Sequence, residues 1–279
     1  MTISLGFSPC PNDTFIFDAM VNGAIDTAGI NFKIYLEDVQ TLNEWAIGGK
    51  LDCTKISYGV LPLIYKQYAV LNAGGALGNG VGPLLISKHI VSADDVMINE
   101  MPVAIPGENT TAHLLFSLAY PNARNKIFLR YNEIEDFVLQ QKGLGVIIHE
   151  NRFTYQQKGL HKIIDLGNYW EQTTQTPIPL GGIVVNRQLP IEVAKQIDTL
   201  ITESVAHAFK NNYQRLTAYV KAHAQEMEEA VMRQHIDLYV NQYSYNLVEA
   251  GKAAVLHLMN VYGKNQQQEF ESDAVFLQA

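Results

Sequence analysis

His149 closes the run Gly-Leu-Gly-Val-Ile-Ile148, so an imidazole stands where a buried apolar strand stops. Histidine titrates near neutral pH and is the side chain most often used as a general base. The alternative is a histidine held by backbone hydrogen bonds with no chemical task. Glu150 and Tyr155 are the neighbours that could orient the ring. Successive strand residues point to opposite faces, so Glu150 suits this role only if the strand has ended. Thr110 and Thr111 follow Ile105-Pro-Gly-Glu-Asn109 and open a helix, where backbone N–H groups, the helix dipole and two hydroxyls together suit an anion such as a carboxylate. Simple capping is the competing role for these threonines. Lys55-Ile56-Ser57 repeats the arrangement elsewhere: a strand end, a cation, a hydroxyl, then a helix start. Asn12, Asn43 and Arg152 are weaker candidates to line a cleft, each equally suited to a structural task.

Other chemistries find no support. Gly74 to Gly82 is glycine-rich but lacks the GK[ST] of a phosphate loop, and Pro83 follows it, so packing of a hinge-side turn, or close approach of backbone to a ligand, is expected there. The eight histidines form no HxxxH or HExxH, there is no GxSxG, and Cys10 and Cys53 have no metal-ligand spacing. No metal or other cofactor is expected.

These residues need elements to position them. Ile3–Phe7, Asn31–Leu36, Leu51–Ile56, Pro102–Ile105, Lys126–Tyr131, Gly145–Ile148 and Ile183–Val185 read as strands, and Val70–Ala73 and Pro83–Ser87 bracket the glycine-rich segment. Between them lie helical patterns: one carrying Phe15, Ile16, Ala19 and Met20 and capped by Asn12 or Asp13, then Thr41–Ile47, Tyr58–Tyr65, Thr110–Tyr120 and Ile134–Gln141. Arg152–Gln157 and Ile163–Leu166 continue the alternation. From Pro190 to about Tyr262 the chain reads as helix, and Gly263–Gln268 as a loose polar tail. Alternation of this kind implies an α/β fold with largely parallel sheets and helices on both faces. Two lobes are expected, the second inserted in the first: 1–90 with 180–279, and 91–179. A ligand cleft would lie between them at strand C-terminal ends.

Composition bounds the function. The 279 residues carry a net charge of −8, which disfavours nucleic acid as a partner. With 47% hydrophobic and 17% charged residues the chain can bury a large core. No apolar run approaches the ~18 residues of a membrane span, and the first residues lack a signal-peptide pattern. A cytoplasmic protein with reduced thiols and a small-molecule partner is the expectation; oligomeric state is not readable.

Several motifs carry a resemblance. Ser8-Pro-Cys-Pro-Asn-Asp-Thr-Phe15, Leu51-Asp-Cys-Thr-Lys-Ile-Ser57, Gly74-Gly-Ala-Leu-Gly78, Thr110-Thr111, Ile148-His-Glu-Asn-Arg-Phe-Thr-Tyr155 and Pro177-Ile-Pro-Leu-Gly181 resemble the 1,4-dihydroxy-6-naphthoate synthase family of menaquinone biosynthesis. The resemblance spans roughly residues 1–190. It implies the two-lobed fold of type II periplasmic binding proteins, used in the cytoplasm by a carbon–carbon lyase of the futalosine route. The implied substrate is a small carboxylate, cyclic dehypoxanthinyl futalosine, cleaved with release of dihydroxyacetone. The family's proton acceptor falls on His149, and its substrate contacts on Lys55, Ile56, Ser57, Thr110 and Thr111. The segment Thr174-Gln175-Thr176 departs from the family pattern, which has a glycine shortly before the Pro-x-Pro turn. Chorismate dehydratase, which shares the fold and pathway, and a non-catalytic small-anion solute-binding protein are the alternatives.

Overall fold

The computed structural model describes residues 1–224 and 228–278. It divides into two units: Met1–Gly78 with Pro179–Ala279, and Asn79–Ile178. The first opens with β1 (Thr2–Phe7), α1 (Pro11–Val21), β2 (Asn31–Leu36), α2 (Val39–Ile47), β3 (Cys53–Ser57), α3 (Leu61–Ile64), β4 (Tyr68–Val70) and β5 (Ala76–Gly78). The second unit holds β6 (Leu84–Ser87), β7 (Val103–Ile105), α4 (Thr111–Ala119), β8 (Lys126–Phe128), α5 (Ile134–Leu139), β9 (Leu144–Ile147), α6 (Asn151–Thr154), β10 (His161–Asp165) and α7 (Leu166–Thr174). The chain then runs through β11 (Ile178–Asn186), α8 (Ile191–His207), α9 (Ala218–His223), α10 (Glu229–Tyr239), α11 (Gln242–Tyr245) and α12 (Val248–Gln266).

The first unit's sheet has the order β2-β1-β3-β11-β4, with β5 also paired to β11. Strands β2, β1 and β3 are mutually parallel, whereas β11 runs antiparallel to both β3 and β4. The second unit's sheet has the order β10-β6-β9-β7-β8, parallel through β9, β7 and β8 and antiparallel at β6 and β10. Both sheets are therefore mixed rather than largely parallel. In each, a parallel trio joined by helical crossovers is followed by one reversed strand, β11 or β6, and then by a strand that again runs in the trio's direction, β4 or β10.

The unit boundary lies earlier than the expected residue 90. Leu84 to Ser87 pairs with β9 and β10, so the segment from Asn79 onward belongs to the second unit. The return strand is also longer than Ile183–Val185. Its pairing to β3 begins at Gly181, so Pro179 owes no N–H to that neighbour. The segment expected to be a loose tail continues α12 as far as Gln266, where the Gly263 carbonyl accepts from Gln268 N at 2.9 Å.

Helix α1 departs most from an amphipathic reading, because Pro11 to Met20 are all buried. Phe17 stacks on Phe7 of β1, and α8, α9 and α10 cover the helix, so its polar residues also face protein. Its N-cap is Cys10, without a side-chain bond; neither Asn12 nor Asp13 caps it. Ser204 of α8 ties the two helices by donating to Ile16 O at 2.6 Å and accepting from Met20 N at 3.3 Å. Phe7, Phe15, Phe17, Ile197, Ile201, Val205 and Ile236 sit in this core. In the second unit Leu84, Ile86, Ala104, Ile134, Val138, Ile147, Tyr155 and Leu160 form a separate cluster. Among the described residues, no helix is long and apolar enough to cross a membrane.

Candidate active site

Parallel neighbours end on the same edge of a sheet, so their C-terminal loops gather there. In the first unit this edge collects Ser8 to Asp13 after β1 and Lys55 to Ser57 at the end of β3. Asp13 Oδ1 lies 3.0 Å from Lys55 Nζ, with both side chains almost fully buried. The ammonium has three donors, and this single contact with Asp13 can occupy only one of them. The carboxylate is better satisfied. Its Oδ2 accepts from Ser8 N at 3.2 Å and Ser8 Oγ at 2.7 Å, and its Oδ1 from Asn12 Nδ2 at 2.8 Å. Charge-assisted bonds of this kind fix a carboxylate firmly.

Ser57 is locked by Asn43 of α2: Ser57 N donates to Asn43 Oδ1 at 2.9 Å, and Asn43 Nδ2 donates to Ser57 Oγ at 3.1 Å. This reciprocal pair fixes the hydroxyl oxygen while leaving its proton uncommitted by either bond. Asn43 is thus brought to the candidate residues as a support. Ile56 between them is fully buried and pairs with Gly182 of β11. Two glycines are required opposite this strand end. A β-carbon at Gly181 would stand 2.6 Å from Ile56 O, and one at Gly182 would stand 2.3 Å from Tyr58 Oη.

In the second unit the shared edge collects Thr110 and Thr111 after β7, Tyr131 after β8 and His149 after β9. Thr110 caps α4. Its hydroxyl accepts from His113 N at 3.2 Å and donates to Gly107 O at 2.9 Å, so capping and turn closure occupy it. What α4 can offer an anion is its positive end and first-turn N–H groups. On the same helix, His113 Nδ1 lies 2.7 Å from Glu108 O, and burial pulls its pKa below the usual histidine value.

His149 stands just beyond β9, which stops at Ile147, with its backbone at φ +58°. The left-handed region costs a residue bearing a β-carbon about 1–2 kcal/mol, and such strain concentrates at functional positions. Its ring meets Tyr131 edge-on, with centroids 5.0 Å apart. Because the strand has ended, alternation no longer directs Glu150 away, and one carboxylate oxygen of this buried residue lies within 4.8 Å of a ring nitrogen of His149. Tyr155 instead packs in the core cluster. Tyr131 was invisible as a candidate because no local motif marks it; the parallel order of β7, β8 and β9 is what brings its loop to this edge.

The residues after His149 hold its turn in place. Asn151 Nδ2 donates to Glu135 Oε2 at 2.7 Å, an oxygen that Lys158 Nζ also contacts at 2.6 Å. The Arg152 guanidinium donates to the carbonyls of Gly82 and Gly80 and pairs with Asp165 at 2.7 Å. Arg152 is therefore a clamp on the glycine-rich segment. In that segment backbone meets backbone, since a β-carbon at Gly82 would lie 2.3 Å from the Gly167 backbone. Arg152→Met is expected to destabilise the protein by about 2–3 kcal/mol in chemical unfolding, since two carbonyls and a carboxylate lose a charged donor. A loss below ~0.5 kcal/mol would show that the clamp contributes little.

Comparison with known proteins gives the family. A family model described as menaquinone biosynthesis matches residues 3–264. A curated 1,4-dihydroxy-6-naphtoate synthase of Thermus thermophilus is 42% identical over 257 residues, covering 92% of each chain. One of Streptomyces coelicolor is 40% identical over 264 residues, again covering 92% of each. Among solved structures, an Archaeoglobus fulgidus protein matches with a TM-score of 0.89 and 30% identity, over 95% of this chain and 98% of that one. The periplasmic aliphatic sulphonate binding protein of Escherichia coli matches with a TM-score of 0.65 at 10% identity, over 99% of this chain and 92% of that one, which extends the fold likeness alone to periplasmic binding proteins. The family match across nearly the whole sequence, with relatives at 40–42% identity, means that this chain belongs to the menaquinone-biosynthesis family and is an enzyme.

Proposed function

We propose that the protein converts cyclic dehypoxanthinyl futalosine to 1,4-dihydroxy-6-naphthoate with release of dihydroxyacetone, using His149 as general base. The observation that carries this reading is a histidine held in left-handed backbone at a strand's C-terminal end, with its turn anchored through Asn151 and Arg152. A retro-aldol-type cleavage begins with removal of a sugar hydroxyl proton. The oxygen's electron pair then forms a carbonyl as the adjacent carbon–carbon bond breaks, and the pair from that bond passes into the ring-side carbonyl as an enolate that takes up a proton. Neutral imidazole can take the hydroxyl proton, an effect of ~10²–10⁴-fold in rate. The cleavage requires no obligatory metal or redox cofactor.

The substrate carboxylate is assigned to the start of α4 at Thr110 and Thr111, where the dipole and N–H donors are unopposed by a resident acid in the first turn. Lys55 and Ser57 are assigned to uncharged oxygens, because Asp13 already balances the ammonium. Ile56 keeps the two in register. Cys10 and Cys53, both buried and neither in a disulfide, fit the reducing cytoplasm. Incubation of the protein with cyclic dehypoxanthinyl futalosine, followed by mass spectrometry, should yield the naphthoate. Reversible capture of the compound without product would favour a solute-binding role, and turnover of chorismate in its place would favour a dehydratase.

A further inference from the structure

His235 is completely buried on α10, far along the chain from the motifs above, and the proposed chemistry does not use it. Its Nε2 lies 2.9 Å from Asn12 Oδ1. An amide oxygen only accepts, so in this geometry Nε2 carries the proton. That bond fixes which way the Asn12 amide faces. With the oxygen turned to His235, the NH2 group faces Asp13 and donates to Oδ1 at 2.8 Å. The reversed amide would set oxygen against the carboxylate and NH2 against the ring N–H. Asp13 Oδ1 is in turn the atom 3.0 Å from Lys55 Nζ. An unbroken polar chain thus runs from α10 through the first turn of α1 to the end of β3. Its members, His235, Asn12, Asp13 and Lys55, are all buried. Buried networks of this kind specify one arrangement of their members because every misalignment leaves a polar group unsatisfied in a low-dielectric setting.

We propose that His235 is a positioning residue for Lys55, setting the Asn12 amide so that Asp13 holds the ammonium at one place and direction toward the ligand. The inference rests on the reading of Lys55 as a substrate contact. Loss of the histidine N–H would release the amide and loosen Oδ1 of the carboxylate, whose Oδ2 stays on Ser8, so the ammonium is held less well and binding weakens in ground and transition states alike. Uniform binding lost in this way raises KM and leaves kcat little changed.

The test combines kinetics with spectroscopy on the full chain. His235→Phe should raise KM about tenfold with kcat within twofold, and His235→Gln, which keeps an N–H donor, should recover part of the loss. In a Lys55→Met background, His235→Phe should have no further effect on KM. A merely structural histidine would impose the same penalty in both backgrounds, and that outcome would overturn the inference. Wild-type KM in Lys55→Met alone would instead remove the reading of Lys55 as a contact. Independently of turnover, the 15N resonance of the Lys55 ammonium and the side-chain amide resonances of Asn12 should both move in His235→Phe. An unmoved Lys55 signal would refute the coupling, whatever the enzyme assay showed.

Discussion

His149→Asn is expected to lower kcat by about 10²–10⁴-fold while leaving the folded protein at least as stable as the parent. The activity loss follows from removing the imidazole that takes the proton, which an amide cannot replace. The stability result follows from the backbone. At φ +58° a histidine pays a steric penalty that asparagine bears more easily and that glycine escapes. His149→Gly is therefore expected within about 1 kcal/mol of the parent, because relief of left-handed strain offsets the added freedom of the unfolded chain. Such a pairing of lost rate with retained or increased stability is what a strained functional residue produces. Steady-state kinetics with thermal unfolding reads both arms. A variant with parental kcat would reduce His149 to a bystander, and a loss of several kcal/mol in His149→Gly would mean that the ring's packing outweighs its backbone strain.

The second large effect is expected at the buried ion pair. Asp13→Asn should cost about 3–5 kcal/mol, since it leaves the Lys55 ammonium buried without a counter-charge. Lys55→Met should cost less. The methionine fills much of the same stem volume, and Asp13 retains Ser8 N, Ser8 Oγ and the Asn12 amide as donors. Combining the two changes should recover much of the Asp13→Asn loss, because no unpaired charge then remains. Urea titration of the parent, both single variants and the double variant forms a complete cycle. Additive losses would show that the two groups do not sense each other, against their 3.0 Å separation. In activity assays Lys55→Met should act chiefly on KM, consistent with its assignment to substrate oxygens.

Much of this was legible in the residues themselves, and the failures have common physical causes. Asn31 to Leu36 is a strand with the expected bounds, because its β-forming residues are flanked by strong turn signals. Thr110 capping and the strand before His149 follow from equally local patterns. The mixed character of the sheets was not local. Whether β11 runs with or against β3 depends on where the chain re-enters, and Pro179 with two glycines disguised a strand as a turn. The glycines become intelligible only beside Tyr58 and the Ile56 carbonyl. Arg152 could be identified as important from its place after His149, but not as a clamp, since its partners Gly80, Gly82 and Asp165 are distributed over 86 residues of chain order. His235 was the least accessible of all. It is a lone imidazole in an amphipathic helix, and its significance arises only from a partner 223 positions away.

The pairing of β3 with β11 also carries a consequence for biosynthesis. Ser57 of β3 meets Gly181 of β11, and everything in the second unit is made between them. At a translation rate of ~5–20 residues per second, one margin of β3 waits on the order of 10 s for its partner to leave the ribosome. During that interval five residues destined for complete burial, Cys53 to Ser57, offer unpaired amides to any passing chain. Slowed elongation before residue 186 should therefore lower the yield of soluble protein, whereas a pause placed after it should be tolerated.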